Sequence, residues 1–215
     1  MLNHLKKRLQ NKTHVIWDWN GTLVDDVDLC IEIIGEIALR HGLKPIQKEE
    51  YLRKFRFPVA DYYKDIGFTD LVLSPQELTK QFISQYGQKV HSLKLYHGMG
   101  EFLVELRELG IRQSILSAAH EFDLRRLLTH FQISHLFTFI YGLNNHDAHS
   151  KIERGRDLIQ KINEPLSKIV LIGDTLHDKE VAEDLGIDVI LLSDGHQHPE
   201  LLSPLTHLFM DRTRP

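Results

Sequence analysis

In the stretch Val15-Ile16-Trp17-Asp18-Trp19-Asn20-Gly21-Thr22-Leu23, a β-branched and aromatic run breaks off at an aspartate and a Gly-Thr turn. A run that is apolar at consecutive positions suits a strand covered on both faces, and such strands belong to parallel sheets flanked by helices. The run also sets a carboxylate at the strand's exit. Gly21 permits a tight turn and a close approach of backbone to ligand, so Asp18, the peptide N–H groups after it and Thr22 can converge on one small anion. Further apolar runs follow near residues 111–116, 137–141, 168–172 and 188–192, with helical patterns between them. That alternation predicts an α/β fold with a doubly wound parallel sheet that gathers ligands at the carboxyl ends of its strands.

Between the first strand and the rest, helical periodicity takes over. Val27 to Leu39 reads as one helix stopped by His41-Gly42, and Glu49 to Phe55 and Val59 to Ile66 as shorter ones separated by Pro58. A fourth is marked by Ser74 as N-cap, Pro75 at the first helical position and Glu77 completing a capping box. A later helix over Glu101 to Glu108 ends at Gly110. The expected organisation is a core of residues 1–24 and 94–215 with a small helical unit at 25–93.

Composition narrows the function classes. A chain of 215 residues, 42% hydrophobic, can bury one sizeable core and a smaller appended unit. With 26 basic against 30 acidic residues there is no electrostatic footprint for nucleic acid, and Lys6-Lys7-Arg8 reads as a solvated terminal helix. No apolar run reaches the roughly 18 residues of a membrane span, and no secretion-signal h-region is visible. The single cysteine, Cys30, lies in an amphipathic pattern with Ile33, Ile34 and Ile37 and reads as core. One cysteine excludes an intramolecular disulfide, so the expected compartment is the cytoplasm.

Three later segments join Asp18. Ser117 closes the run Ile111 to Ser117, Lys151 opens a helical pattern after a polar loop, and Gly173-Asp174-Thr175-Leu176-His177-Asp178 puts two aspartates just beyond a strand. In this order the motifs resemble the haloacid dehalogenase superfamily, specifically its phosphoglycolate phosphatase-like members, over about residues 13–195. The resemblance implies a Rossmann-like core, a helical cap inserted after the first motif, and phosphohydrolase activity through an aspartyl-phosphate on Asp18. It implies Mg²⁺ held by Asp18, the Asn20 backbone carbonyl, Asp174 and Asp178, a small phosphorylated metabolite as substrate, Ser117 and the Ala118 N–H on a phosphoryl oxygen, and Lys151 as the neutralising cation. Read by themselves, Asp174 and Asp178 are also good caps for the following helix.

Asn20 departs from that family's pattern, which has a second aspartate here as general acid and base. An amide can orient a leaving alcohol or a water but cannot exchange the proton. Such help is commonly worth roughly 10²–10⁴ in rate. The sequence leaves open a phosphatase with a replaced proton donor, a weak or inactive phospho-ligand binder, and a relative that cleaves C–P bonds, for which Lys54 and Lys64 are candidate lysines. His120 and His177 are candidate replacement donors, alternatively a helix-start and a supporting histidine. Arg53, Lys54 and Arg56 are the expected contribution of the helical unit to substrate binding, or else a solvated face. Trp17 reads as core, and Trp19 as core or as a screen for the site. The pairs His146 and His149, and His196 and His198, read as loop histidines.

Overall fold

A computed structural model describes residues 2–143, 151–205 and 209–210. Its elements in chain order are α1 (Leu2–Arg8), β1 (His14–Trp17), β2 (Val24–Asp25), α2 (Val27–Arg40), α3 (Lys48–Lys54), α4 (Val59–Asp65), α5 (Pro75–Lys89), β3 (Lys94–Leu95), α6 (Met99–Glu108), β4 (Arg112–His120), α7 (Glu121–His130), β5 (Phe139–Leu143), α8 (Ile152–Ile162), β6 (Ile169–Gly173), α9 (Leu176–Leu185), β7 (Asp188–Leu192), α10 (Pro199–Leu202) and β8 (Phe209–Met210). Six strands form one sheet in the order β5-β4-β1-β6-β7-β8, every neighbouring pair parallel. Helices cover both faces, as the unbroken apolar runs require.

The two faces divide the side chains of β1. Val15 and Trp17 join the apolar cluster that takes in Phe102 and Leu106 of α6 and Leu124 and Leu128 of α7. Ile16 points into the opposite cluster, with Leu158 of α8 and Val181 and Leu185 of α9. Trp17 is fully buried, and its indole N–H donates to Gln113 Oε1 at 3.0 Å, so its polar atom is satisfied inside the core. The register sets Trp17 level with Ile115 of β4 and Ile172 of β6. Asp18 and Asp174 therefore leave the sheet at one edge, and Ser117 lies near that edge within β4, which runs on to His120.

Helices α2–α5 lie in the chain between β1 and β4 and share their own buried cluster, built from Ile33, Ile34 and Ile37 of α2 with Tyr51, Tyr62, Phe68 and Leu78. The chain leaves and rejoins the sheet through the two-stranded ribbon of β2 and β3, which pair antiparallel. Cys30 is buried in this cluster. Ser74 Oγ accepts the Glu77 N–H at 3.3 Å and caps α5, while the Glu77 carboxylate lies 3.7 Å from Lys80. Among the described residues no helix is long and apolar enough to cross a membrane.

Candidate active site

The turn after β1 is wound by Trp19, whose carbonyl accepts the N–H groups of Leu23 at 2.9 Å and Val24 at 3.1 Å. This coil brings Gly21, at φ +69°, against Asp174, so close that any side chain there would collide with the carboxylate. Gly195 meets the other side of Asp174 in the same way. Asp174 is thus gripped by backbone: its Oδ2 accepts the His196 N–H at 2.6 Å and its Oδ1 the Thr22 hydroxyl at 2.7 Å.

Three buried carboxylates, Asp18, Asp174 and Asp178, bring an oxygen each within 4.8 Å of one another. Lys151, 2% exposed at the N-terminus of α8, answers them. Its ammonium donates to Asp18 Oδ1 and to the Leu116 carbonyl, and pairs with Asp178 Oδ1 at 2.7 Å. Asp178 does two jobs at once. Its Oδ2 accepts the N–H groups of Asp174 and Thr175 and the Thr175 hydroxyl, closing the capping box of α9, while Oδ1 faces the lysine. Burial raises the Asp18 pKa, Lys151 lowers it, and the two neighbouring carboxylates raise it again, leaving it at about 8. Asp174 is likewise raised, chiefly by burial, whereas the lysine outweighs burial at Asp178 and lowers it. One lysine faces three carboxylates, and the donors are hard oxygens at one focus. The set fits a divalent hard cation such as Mg²⁺.

A second buried network adjoins the first and was not foreseen. Asp26, fully buried, sits at the N-terminus of α2 but does not cap it. It accepts the Asn20 side-chain amide at 2.6 Å, the Tyr86 hydroxyl at 2.8 Å, the Gly21 N–H at 2.9 Å and His196 Nε2 at 3.3 Å. Burial raises its pKa, but the charge on His196 and these hydrogen bonds outweigh burial and hold it below the usual carboxylate range. His196 mirrors this: burial lowers its pKa, and Asp26 more than offsets that and lifts it to about 9. Its Nδ1 lies 2.8 Å from the Tyr51 hydroxyl. His196 lies in the loop between β7 and α10, as expected, but it is no solvated loop histidine, since it is 5% exposed and braced between both carboxylate networks. Gly195, which lets the backbone close on Asp174, was the one cue in the sequence.

A cavity of about 910 Å³ lies over the cluster, walled by Asp18, Asn20, Lys151, Asp174 and Asp178 and by residues of α4 and α5. Ala118 and His120 border it, whereas Ser117 is buried beside it with its Oγ accepting the Ala119 N–H at 3.0 Å. A register shift in the pairing of β4 with β5 falls at this point. Trp19 is fully buried and forms part of the wall.

Several expectations change. Thr22 is fully buried and holds Asp174 rather than meeting an anion. Arg56 pairs with Asp65 at 2.9 Å and takes no part in the cavity wall; Arg53 pairs with Glu49 and Glu200, and Lys54 with Glu50. Their charges are neutralised locally, so the basic cluster is a surface feature. Lys64, near Asp61, is also outside, which leaves Lys151 as the one lysine of the wall among the described residues and removes the basis for C–P cleavage. His177 is stacked on Phe57 of the wall and 3.0 Å from Glu180, but does not itself line the cavity. His198 accepts the Glu200 N–H at its own loop, and His146 and His149 lie outside the described residues.

The sequence profile of the haloacid dehalogenase-like hydrolases matches residues 15–192. The tyrosine-protein kinase PtkA of Mycobacterium tuberculosis is 24% identical over 190 residues, covering 87% of this chain, which spans 64% of that relative's length. A phosphoglycolate phosphatase of Synechococcus elongatus is 23% identical over 184 residues, 84% of each chain. Among solved structures, a haloacid dehalogenase-like family protein of Streptococcus pneumoniae superposes with a TM-score of 0.78 at 20% identity, covering 94% of this chain and 95% of its own.

Proposed function

The chain belongs to the haloacid dehalogenase-like hydrolases, and within that family we propose that it is a Mg²⁺-dependent phosphohydrolase acting on a small phosphorylated metabolite through an aspartyl-phosphate on Asp18. The observation that carries this reading is the pairing of Asp18 with Lys151 inside a buried three-carboxylate cluster on the cavity wall. Relatives named as phosphoglycolate phosphatases support phosphate-ester chemistry.

Asp18, the Asn20 carbonyl, Asp174 and Asp178 would hold the cation. Bound there, Mg²⁺ would favour the ionised form of the Asp18 and Asp174 carboxyls, screen Asp18 from a dianionic phosphate and polarise a phosphoryl oxygen. Lys151 fixes Asp18 Oδ1, so Oδ2 is the attacking oxygen. As it bonds to phosphorus the ester P–O bond breaks and the alcohol departs with the electron pair. The Ala118 N–H and the Ser117 hydroxyl are proposed to steady a phosphoryl oxygen, and Thr22 and the His196 N–H keep Asp174 in register. Water then attacks the phosphorus, Asp18 is regenerated and orthophosphate leaves. Residues 25–93 would act as a cap that excludes bulk water over a core of 1–24 and 94–215.

Orthophosphate release with Mg²⁺, abolished by EDTA and by Asp18→Asn with an unchanged near-ultraviolet circular dichroism spectrum, is the expected result. Substantial turnover by Asp18→Asn would overturn the mechanism. A second reading, a phospho-ligand binder without turnover, draws its support from Asn20, and ligand binding without phosphate release in the same assay would establish it.

A further inference from the structure

A phosphate alone fills a small part of a 910 Å³ cavity. The rest must accommodate the alcohol. Phe55, Phe57, Tyr62, Phe82 and Ile83 of the helical insertion wall this space, with Trp19 of the core. No arginine or lysine of the insertion joins them among the described residues. The arginines of the wall come from α7: Arg125 is bound to Glu121 at 2.8 Å, and Arg126 has a side chain 66% exposed, 4.0 Å from Asp123. His91 and His130 of the wall pack edge to face on each other at 5.2 Å. On the side of the cavity formed by the insertion a second carboxylate would lose water without gaining a cation from Arg or Lys, while an apolar ring would gain from burial.

The side chain of Asn20 adds an independent constraint. Both hydrogens of its amide nitrogen are engaged, one by Asp26 Oδ2 at 2.6 Å and one by the Tyr86 oxygen at 3.0 Å. Because an ionised carboxylate accepts and never donates, the amide is held with its nitrogen toward Asp26, and what it has left to offer is Oδ1, an acceptor. It cannot give a leaving oxygen a proton. Without an acid at position 20 the reaction leans on how readily the alcohol departs as its anion, which is easy for a phenol, with a pKa of about 10, and hard for an alkyl alcohol, whose pKa is closer to the 15.7 of water.

We propose that the substrates are aryl phosphates, monoesters whose alcohol is a phenol carried on an apolar body. The proposal rests on the phosphohydrolase reading above. Asp18 Oδ2 bonds to phosphorus, the P–O(aryl) bond breaks, and the pair stays on the phenolate oxygen, which takes a proton from solvent after it leaves. Water attacks the aspartyl-phosphate, its proton passes to solvent, and orthophosphate departs. With no carboxylic acid at position 20 to activate that water, the second step is the slower one, and phenol release shows a burst.

Two measurements on the full chain with Mg²⁺ test the two constraints separately. Calorimetry with the non-hydrolysable ethylphosphonate and benzylphosphonate reads the cavity, and the benzyl compound is expected to bind about tenfold or more tightly. Single-turnover alcohol release reads the leaving group, with phenyl phosphate faster than benzyl phosphate by about 10² or more, since both carry a ring and only one leaves as a phenolate. Equal binding of the two phosphonates, or equal release from the two esters, overturns the aryl assignment and leaves the phosphohydrolase reading standing. No alcohol release from any ester, with Asp18 unphosphorylated, overturns that reading and the assignment with it.

Discussion

Asn20 and Asp26 meet as an amide against a carboxylate, and the fully buried Asp26 has no water to fall back on. Asn20→Asp puts two acids in contact there, and one of them has to hold a proton at neutral pH. The variant is expected to lose about 1–3 kcal/mol in urea unfolding and to gain turnover of alkyl esters, because a protonated acid now stands at the position of the missing donor. Exchanging the pair, Asn20→Asp with Asp26→Asn, restores one amide and one acid and should recover the stability. A double variant no more stable than the single one would show that charge is not the cause. Asp18, Lys151, Asp174 and Asp178 stood out in the sequence through the order of their motifs and the family resemblance that order carries, and their side chains do meet; alone, Lys151 reads as a surface lysine. Asp26 and His196 did not stand out. An aspartate before α2 looks like a cap, a histidine in a polar loop looks solvated, and the two are 170 residues apart. Arg56 misled for the opposite reason, since a basic cluster shows charge but not the carboxylates that neutralise it.

At the scale of elements, strands covered on both faces left a plain signal, and β6 and β7 lie within a residue of the expected ranges. The ribbon of β2 and β3 has two residues to a strand, too few for any periodicity to show. Strand β1 also contains a histidine where its neighbours are apolar. His14 is fully buried with Nε2 2.8 Å from Ser114 Oγ, and burial, then Arg112, lowers its pKa from 6.5 to about 4. Between those values the unfolded chain binds the proton and the folded chain does not. The contribution of His14 to stability is therefore complete above about pH 6.5 and falls as pH drops toward 4, by about 3 kcal/mol at 1.36 kcal/mol per pH unit. His14→Gln should flatten that slope in urea titrations from pH 7 to 4, and an unchanged slope would place the acid sensitivity elsewhere.

Over the whole molecule, the sheet edge and the helical insertion are held together at the site itself. Tyr86 of α5 accepts the Asn20 amide at 3.0 Å, and Tyr51 of α3 reaches His196, which in turn holds Asp174. A cation bound at the carboxylate cluster should therefore stabilise the entire fold. At a hundred times its dissociation constant Mg²⁺ is expected to add about 2.7 kcal/mol, read as a rise in the thermal midpoint. Asp174→Ala should lose that rise, and a midpoint that still climbs with Mg²⁺ would move the cation off Asp174. The same closure bears on how long the protein lasts. Asn20 precedes Gly21, the pairing most open to spontaneous deamidation, in which the glycine nitrogen attacks the side-chain carbonyl and ammonia is lost. Here the Gly21 N–H is bonded to Asp26 Oδ1 at 2.9 Å and to the Val24 carbonyl at 3.1 Å, and the Asn20 amide is held by Asp26 and Tyr86. The attacking nitrogen and its target are both restrained, so ageing at this bond runs at the rate of local opening rather than at the rate of a free peptide. Every such event would write an aspartate or isoaspartate beside the nucleophile, and an old preparation would become a mixture of two chemistries under one sequence.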